Sequence, residues 1–291
     1  MKAKTVINSQ DYVERAKEEI REWETRKPGF IAQVGDAVLS PVMRQAGKLV
    51  PEGVQTAVSE AVEKTLRLTA KAGEFTVDGI AIAKARTARL KNARTPGSKL
   101  KCSDQLANEY WNWHIGYAAA EGGATGAAGI FGLPADIPLI LSIAIREIRT
   151  IGACYGYETN SPTETDYVLH ILRIGSSGDI NVKIQFLIAL KEFEQILIKV
   201  AWQKMTQEMA AKQLSKGAVL AAIREFAKSL GIQLTKRKAL QAVPIIGALI
   251  GASFNAVYAN DIGRAAFMCY RRRFIEEHAS HKKGNFRRSS K

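Results

Sequence analysis

The stretch that decides the fold is Glu121–Ile145, EGGATGAAGIFGLPADIPLILSIAI. Its first half is dense in glycine, and Gly122 and Gly126 are four residues apart, which places them on one face of a helix where another backbone can approach closely. Asp136 follows between Pro134 and Pro138, and an aliphatic run comes after it. This order predicts a close-packed helix, a break near the two prolines, and a second, apolar helix.

A second segment, ALQAVPIIGALIGASFNAVYAN from Ala239 to Asn260, carries no charge and repeats the glycine spacing at Gly247 and Gly251. We expect the two segments to pack on each other at the centre of the protein. About twenty apolar residues can cross a bilayer, but an acid near the middle of the first segment and Lys or Arg on both sides of each segment argue against simple spanning. Three states stay open: a soluble core, peripheral contact with lipid, and a re-entrant hairpin.

The remaining sequence is typical of helices, and no alternating strand competes with them. Ser161 is placed to cap a helix, with Pro162 at its first position and Glu164 completing a capping box. We therefore predict an all-α, multi-helix domain in which two Gly-rich apolar helical hairpin segments pack centrally. The predicted organisation is an N-terminal helical region (1–98), a helical core (99–276) and a basic disordered tail (277–291). One long helix is expected to bury a broad face formed by Ile184, Leu187, Ile188, Leu190, Phe193, Ile196, Leu197, Val200 and Ala201.

The net charge of +14 is concentrated in two places. Residues 84–101 contain seven Lys or Arg and no acid, and residues 271–291 contain eight Lys or Arg and two Glu. Such clusters attract anionic membranes or nucleic acid, although they also occur as merely solvated surface. The candidate contacts for lipid or another polyanion are Lys84, Arg86, Arg89, Lys91, Arg94, Lys99, Lys101, Arg271, Arg272 and Arg273.

Aromatic residues cluster in NEYWNWHIGY, Asn108–Tyr117, next to the first glycine segment. Trp111 and Trp113 suit a membrane interface, where an amphipathic ring lies at headgroup level. Packing of these rings in the core is the equally weighted alternative. The three cysteines are far apart and form no CxxC, which favours a reducing, cytoplasmic environment.

The motifs GGATGAAGIFGLPADIPLILSIAIREIRTIGACYGYE and VPIIGALIGASFNAVYANDIGRAAFMCYRRRF resemble the EcsC family of bacterial proteins. The matching positions are Gly122, Gly123, Gly126, Leu133, Pro134, Asp136, Pro138, Tyr155, Gly156, Pro244, Gly247, Ala248, Asn255 and Arg273. The resemblance covers about residues 104–274. It implies a mostly helical protein linked to an ABC transporter and to protein secretion, and it assigns no catalytic residues.

No sequence motif for catalysis is present: HExxH, GxSxG, the Walker A loop and the Rossmann GxGxxG are all missing from the sequence. The favoured role of Asp136 is to cap a helix that starts at Ile137, bonding the amide of Leu139. The alternative is a hydrolase in which Asp136 acts as acid or base, with Glu121, Tyr155 and Asn255 as candidate partners. We expect no cofactor and no metal.

The sequence as a whole favours a non-enzymatic protein at the cytoplasmic face of the cell membrane, held there peripherally or by inserted hairpins. Its expected partners are an anionic membrane surface and a membrane transporter or other protein. A hydrolase centred on Asp136 and a nucleic-acid binder are the alternatives, and nucleic acid is the less favoured partner.

Overall fold

A computed structural model describes residues 9–26, 50–70, 77–125, 132–177, 180–204, 226–228, 230–232, 234–235 and 247–288. Every regular element in these ranges is helical, which confirms the all-α prediction. The long helices are α1 (Ser9–Thr25), α2 (Glu52–Ala70), α3 (Gly79–Leu90), α4 (Pro96–Thr125), α5 (Leu133–Tyr155), α6 (Pro162–Ser176), α7 (Ile180–Lys204) and α8 (Gly247–Arg288).

Three helices, α4, α5 and α8, form the centre of the molecule. Helix α8 runs antiparallel to α4, because Arg271 pairs with Asp104 at one end and Asn255 bonds Glu121 at the other. Helix α5 runs parallel to α8, so that Ile143 packs near Ala259 and Gly152 lies against Tyr270 further along. The ends of the two glycine-containing segments therefore meet, as the Nδ2 of Asn255 donates to Glu121 Oε2 over 2.9 Å.

Of the four predicted packing glycines, the structure gives the burial of Gly122 alone. Gly122 is buried in α4, whereas Gly126 lies outside the described residues. Gly247 and Gly251 lie in the first turns of α8, where only the backbone is described. Within the central bundle of α4, α5 and α8, two other described glycines make close approaches: a side chain at Gly152 would meet Tyr270, and one at Gly263 would meet Trp111 and Glu147.

The start of α5 differs from the prediction. The helix begins at Leu133 with Gly132 as its N-cap, so Asp136 lies in the first turn instead of capping a helix at Ile137. Pro134 is tolerated there because amides in the first turn have no intrahelical partner. Pro138 lies inside the helix, where its missing N–H costs one hydrogen bond without ending the helix.

Two other local predictions have different outcomes. Ser161 caps α6 and accepts a hydrogen bond from the amide of Glu164, as expected. In α7, Leu187 and Leu190 are buried, but Ile184 and Ile188 are exposed, so the buried face is narrower than predicted. The side chains of Phe193, Ile196, Leu197, Val200 and Ala201 lie outside those the structure describes.

Helix α1 packs on α4, α7 and α8 through Ala16, Ile20 and Trp23. Its last turn is held by the ammonium group of Lys183, which donates to the carbonyls of Trp23 and Arg26 and lies 4.3 Å from the Trp23 ring centroid. A cation at this end complements the helix dipole. The N-terminal helix is therefore attached by both apolar and polar contacts.

Helix α8 continues to Arg288. The prediction of disorder from residue 277 is wrong up to that residue, because Glu277 still bonds Arg273 and Tyr157 and the helix extends beyond it. The described helices include none whose length and apolar character would suffice to cross a bilayer. The predicted division near residue 98 falls inside the first turn of α4 and stays a prediction.

Candidate functional site

The first cationic cluster lies on α3, on the turn after it and at the start of α4. Two of its members are engaged within the protein. Arg89 pairs with Glu109 of α4, and Arg86 is partly buried against Gly156, a glycine with φ of 95°. Burial lowers the pKa of the Arg86 guanidinium. Among the described residues, no ion pair involves the other five, which we call the basic surface: Lys84, Lys91, Arg94, Lys99 and Lys101.

Apolar side chains are also exposed on α3 and α4. Ile80 in the first turn of α3 is 71% exposed, and Trp113 of α4 is 60% exposed. The Trp113 ring stacks on Tyr117 at a centroid distance of 5.4 Å. Helix α3 packs on α4 through the ion pair of Arg89 with Glu109, one helical turn before Trp113. Ile80 and the two exposed rings therefore lie on neighbouring helices.

Trp111 does not share this position. Its ring packs on Phe267 of α8 at 5.8 Å, abuts Gly263 and is covered by the Arg264 guanidinium at 5.4 Å. Trp111 is half-buried and faces α8 in the central bundle, which favours the alternative of core packing, and its role as an interface aromatic stays a prediction. Trp113, two residues later on the other side of the helix, keeps the exposure that the prediction requires.

The second cationic cluster begins with three consecutive arginines of α8, Arg271–Arg273, which we call the arginine row. All three are buried and bound to carboxylates. The prediction that they contact lipid or another polyanion is therefore wrong for this structure. Successive helical residues point about 100° apart, so each arginine reaches different helices. The partners are Asp104 and Glu19 for Arg271, Glu194 and Glu24 for Arg272, and Glu164 and Glu277 for Arg273.

Tyrosines complete this buried network. The hydroxyls of Tyr12 and Tyr155 both donate to Asp104 over 2.7 Å, and the Tyr167 hydroxyl donates to Glu194 over 2.6 Å. Burial raises the pKa of the Asp104 carboxyl, and the nearby Arg271 opposes this shift. The Arg273 guanidinium lies between two rings, 4.0 Å from the centroid of Tyr157 and 4.9 Å from that of Tyr167. The arrangement ties helices together and leaves the row little exposed.

Asp136, the candidate acid of the hydrolase alternative, is 4% exposed near the start of α5. Of its three proposed partners, Glu121 and Asn255 bond each other. Tyr155 bonds Asp104 at the far end of α5, about 28 Å from Asp136 along a helix that rises about 1.5 Å per residue. Tyr155 is therefore not a partner of Asp136. In the ranges that the structure describes, no group of three or more His, Cys, Asp or Glu side chains could hold a metal ion.

Sequence reasoning missed Glu147, which is fully buried in the middle of α5. Among the described residues, neither carboxyl oxygen has a hydrogen-bond partner, and burial raises the pKa of Glu147 well above the ordinary value. The buried indole N–H of Trp111 likewise has no hydrogen-bond acceptor in that part of the chain. One signal could have found Glu147: it falls on the helical face of Ile140, Ala144 and Ile151, all of which are buried.

In the part of the chain that the structure describes, fold and surface together define an all-helical protein with a buried network of ion pairs and an exposed basic surface. The model of the EcsC protein family matches residues 14–275, and the chain belongs to this family. Its resemblance to that family is thereby confirmed over most of its length.

Two proteins of Bacillus subtilis (strain 168) are similar to the chain. The protein YdbA, described as uncharacterized, is 28% identical over 178 residues, which are 61% of this chain and 60% of YdbA. The alignment thus spans less than two thirds of YdbA. Protein EcsC is 26% identical over 238 residues, which are 82% of this chain and 86% of that protein. No solved structure matches the chain.

Proposed function

We propose that this protein is a non-enzymatic helical protein that binds anionic membranes at the cytoplasmic face through the basic surface of α3 and α4. The observation that carries the proposal is the set of five Lys and Arg side chains without a carboxylate partner among the described residues. The resemblance to a family linked to an ABC transporter favours a role as an accessory factor in transport or secretion, with a membrane protein as a further partner.

The chemistry of the neighbouring side chains supports lipid as the partner. Cations near an anionic leaflet each add about 1 kcal/mol of attraction, and aromatic and aliphatic side chains add affinity when they enter the headgroup region. Ile80, one helical turn before Lys84, provides such a side chain, and Trp113 and Tyr117 are exposed on the neighbouring helix α4. An apolar contribution of this kind distinguishes a lipid surface from a nucleic-acid backbone, which is bound mainly by charge.

The proposal is tested by flotation with vesicles of phosphatidylcholine, with and without phosphatidylglycerol, at low and high salt. We expect the wild-type protein to float only with anionic vesicles and to be released by salt. The double variant Lys84→Gln/Lys91→Gln removes about 2 kcal/mol of attraction, so its partition coefficient should fall on the order of 30-fold.

A matched control removes the same charge elsewhere. Lys64→Gln/Lys228→Gln changes two exposed lysines outside the basic surface and should leave most of the binding intact. Equal losses in the two double variants would show that only net charge matters, and absence of binding by the wild-type protein at low salt would refute the proposal. Trp113→Ala should weaken binding at low salt without changing how steeply binding falls as salt is added, because it removes apolar contact and no charge. Tighter binding to DNA or RNA than to anionic vesicles would favour the nucleic-acid alternative instead.

A further inference from the structure

A pocket of about 330 Å³ lies between α1, α4 and α8. It is lined by Tyr12, Arg15, Glu19, Asp104, Asn108, Phe267 and Arg271. Pockets for small ligands are commonly of this size or larger, with a few polar groups set among apolar walls. Here the rings of Tyr12 and Phe267 supply the apolar walls.

The main cation of the pocket is the buried guanidinium of Arg271. Its inner side faces Asp104, with Nε 2.9 Å from Oδ2, and that carboxylate also accepts from Tyr12 and Tyr155. The charge of Asp104 is thus balanced by groups of the protein itself. The Nη1 of Arg271 binds the carboxylate of Glu19, whose side chain is 55% exposed.

Glu19 therefore lies where the oxyanion of a ligand would bind. An exposed glutamate side chain on the first helix can rotate away at small cost, whereas Asp104 is fixed by three contacts. Two further donors line the same pocket. Arg15 is exposed and forms no ion pair within the described residues, and the Asn108 side chain is also exposed.

We propose that this pocket binds a small ligand through a phosphate group, which displaces Glu19 from Arg271 and is also contacted by Arg15. Guanidinium groups bind phosphate through paired hydrogen bonds, and two of them around one anion form a common phosphate site. The phosphate belongs either to a free small molecule or to a lipid headgroup. None of the residues that line the pocket belongs to the basic surface, so this proposal does not rest on the function proposed above.

The first experiment measures binding of inorganic phosphate and glycerol 3-phosphate to the full chain by calorimetry. Vesicles of phosphatidylcholine with phosphatidic acid form the lipid arm. We expect Glu19→Gln to strengthen binding about tenfold because the competing carboxylate is removed, and Arg15→Gln to weaken it about tenfold. Saturable binding of the soluble phosphates identifies a free ligand. If Glu19→Gln and Arg15→Gln change binding to the vesicles only, the ligand is a lipid headgroup.

The controls change the same charges on the same helix outside the pocket. Glu18 and Arg21 form an exposed pair with each other, so Glu18→Gln and Arg21→Gln should alter binding less than threefold. The inference is overturned if neither phosphate source binds saturably, or if Glu18→Gln strengthens binding as much as Glu19→Gln does. It is also overturned if Arg15→Gln binds like the wild-type protein. Because Arg15 is exposed, that variant is expected to fold normally.

Discussion

At the scale of single residues, Glu147 shows how a carboxyl group that has no hydrogen-bond partner among the described residues can lie inside an apolar bundle. An isolated buried carboxylate costs many kcal/mol, and the protonated acid avoids most of that cost. Trp111 and Gly263 are in contact range on one side. His114, also buried in α4, has its pKa lowered to about 4 by burial and by Arg146, so it provides no positive charge at neutral pH.

Glu147→Gln should therefore remove one pH dependence of the free energy of unfolding, and the variant should still fold. Since the pKa of Glu147 is higher in the folded than in the unfolded chain, folding retains a proton that the unfolded chain releases above its pKa of about 4.3. The stability that Glu147 contributes is complete below this pH and falls as pH rises towards the folded-state pKa. Relative to the variant, the wild-type protein should lose up to about 1.4 kcal/mol per pH unit between pH 5 and 7.

Urea unfolding of both proteins at pH 5, 6 and 7 measures this difference. Taking the difference between the two proteins cancels contributions from His114 and His170, whose lowered pKa values act in both. If the difference in free energy of unfolding between the two proteins does not change with pH, Glu147 is ionised in the folded protein.

At the scale of helices, close contact among α4, α5 and α8 depends on glycines that were not selected from the sequence. Gly263 is such a residue: an added methyl group would collide with the Trp111 ring and lie 2.5 Å from Glu147 Oε1. Gly263→Ala should therefore destabilise the protein by about 1–3 kcal/mol. Gly116→Ala is the matched control, since it has open space around it in α4 and should stabilise by about 0.5–1 kcal/mol. Thermal unfolding of both variants checks that their changes in stability have opposite signs. Stabilisation by Gly263→Ala would contradict the close approach of Gly263 to Trp111 and Glu147.

Helix periodicity predicted many elements correctly because it reports a local pattern. The buried face of α1, formed by Ala16, Ile20 and Trp23, and the Ser161 cap of α6 both follow from neighbours within a few residues. The start of α5 could not be predicted in this way. Two prolines indicate a break, but the packing of Leu133 and Ile137 in the core favours a continuous helix.

The burial and pairing of the arginine row could not be predicted from the sequence for a different reason. Arg271, Arg272 and Arg273 look like the beginning of a solvated basic tail, because their partners are distant in the chain. Asp104 is 167 positions before Arg271, and Glu164 is 109 positions before Arg273. Only the folded structure brings these charges together. By contrast, the cluster at residues 84–101 has few acids within reach, so its exposure could be predicted from composition.

At the scale of the whole molecule, the arginine row connects α8 to α1, α4, α6 and α7. The strongest link joins Arg272 to Glu194, with the Nη2 atom 3.0 Å from both carboxylate oxygens. Removing one partner of a buried pair leaves an uncompensated charge, which costs about 3–5 kcal/mol. Glu194→Gln should therefore lower the free energy of unfolding by this amount, and little of the loss should be recovered by salt because the pair is shielded from solvent.

The control for this variant is Glu14→Gln, which breaks the exposed pair with Lys17 on α1 and should change stability by less than about 0.5 kcal/mol. Guanidinium chloride would screen the charges, so urea unfolding followed by circular dichroism is the appropriate measurement. A loss below about 1 kcal/mol for Glu194→Gln would show that Glu24 alone can neutralise Arg272. In that case α1, which supplies Glu24, would carry more of the stability than α7, and a truncation that removes α1 would lower the free energy of unfolding more than Glu194→Gln does.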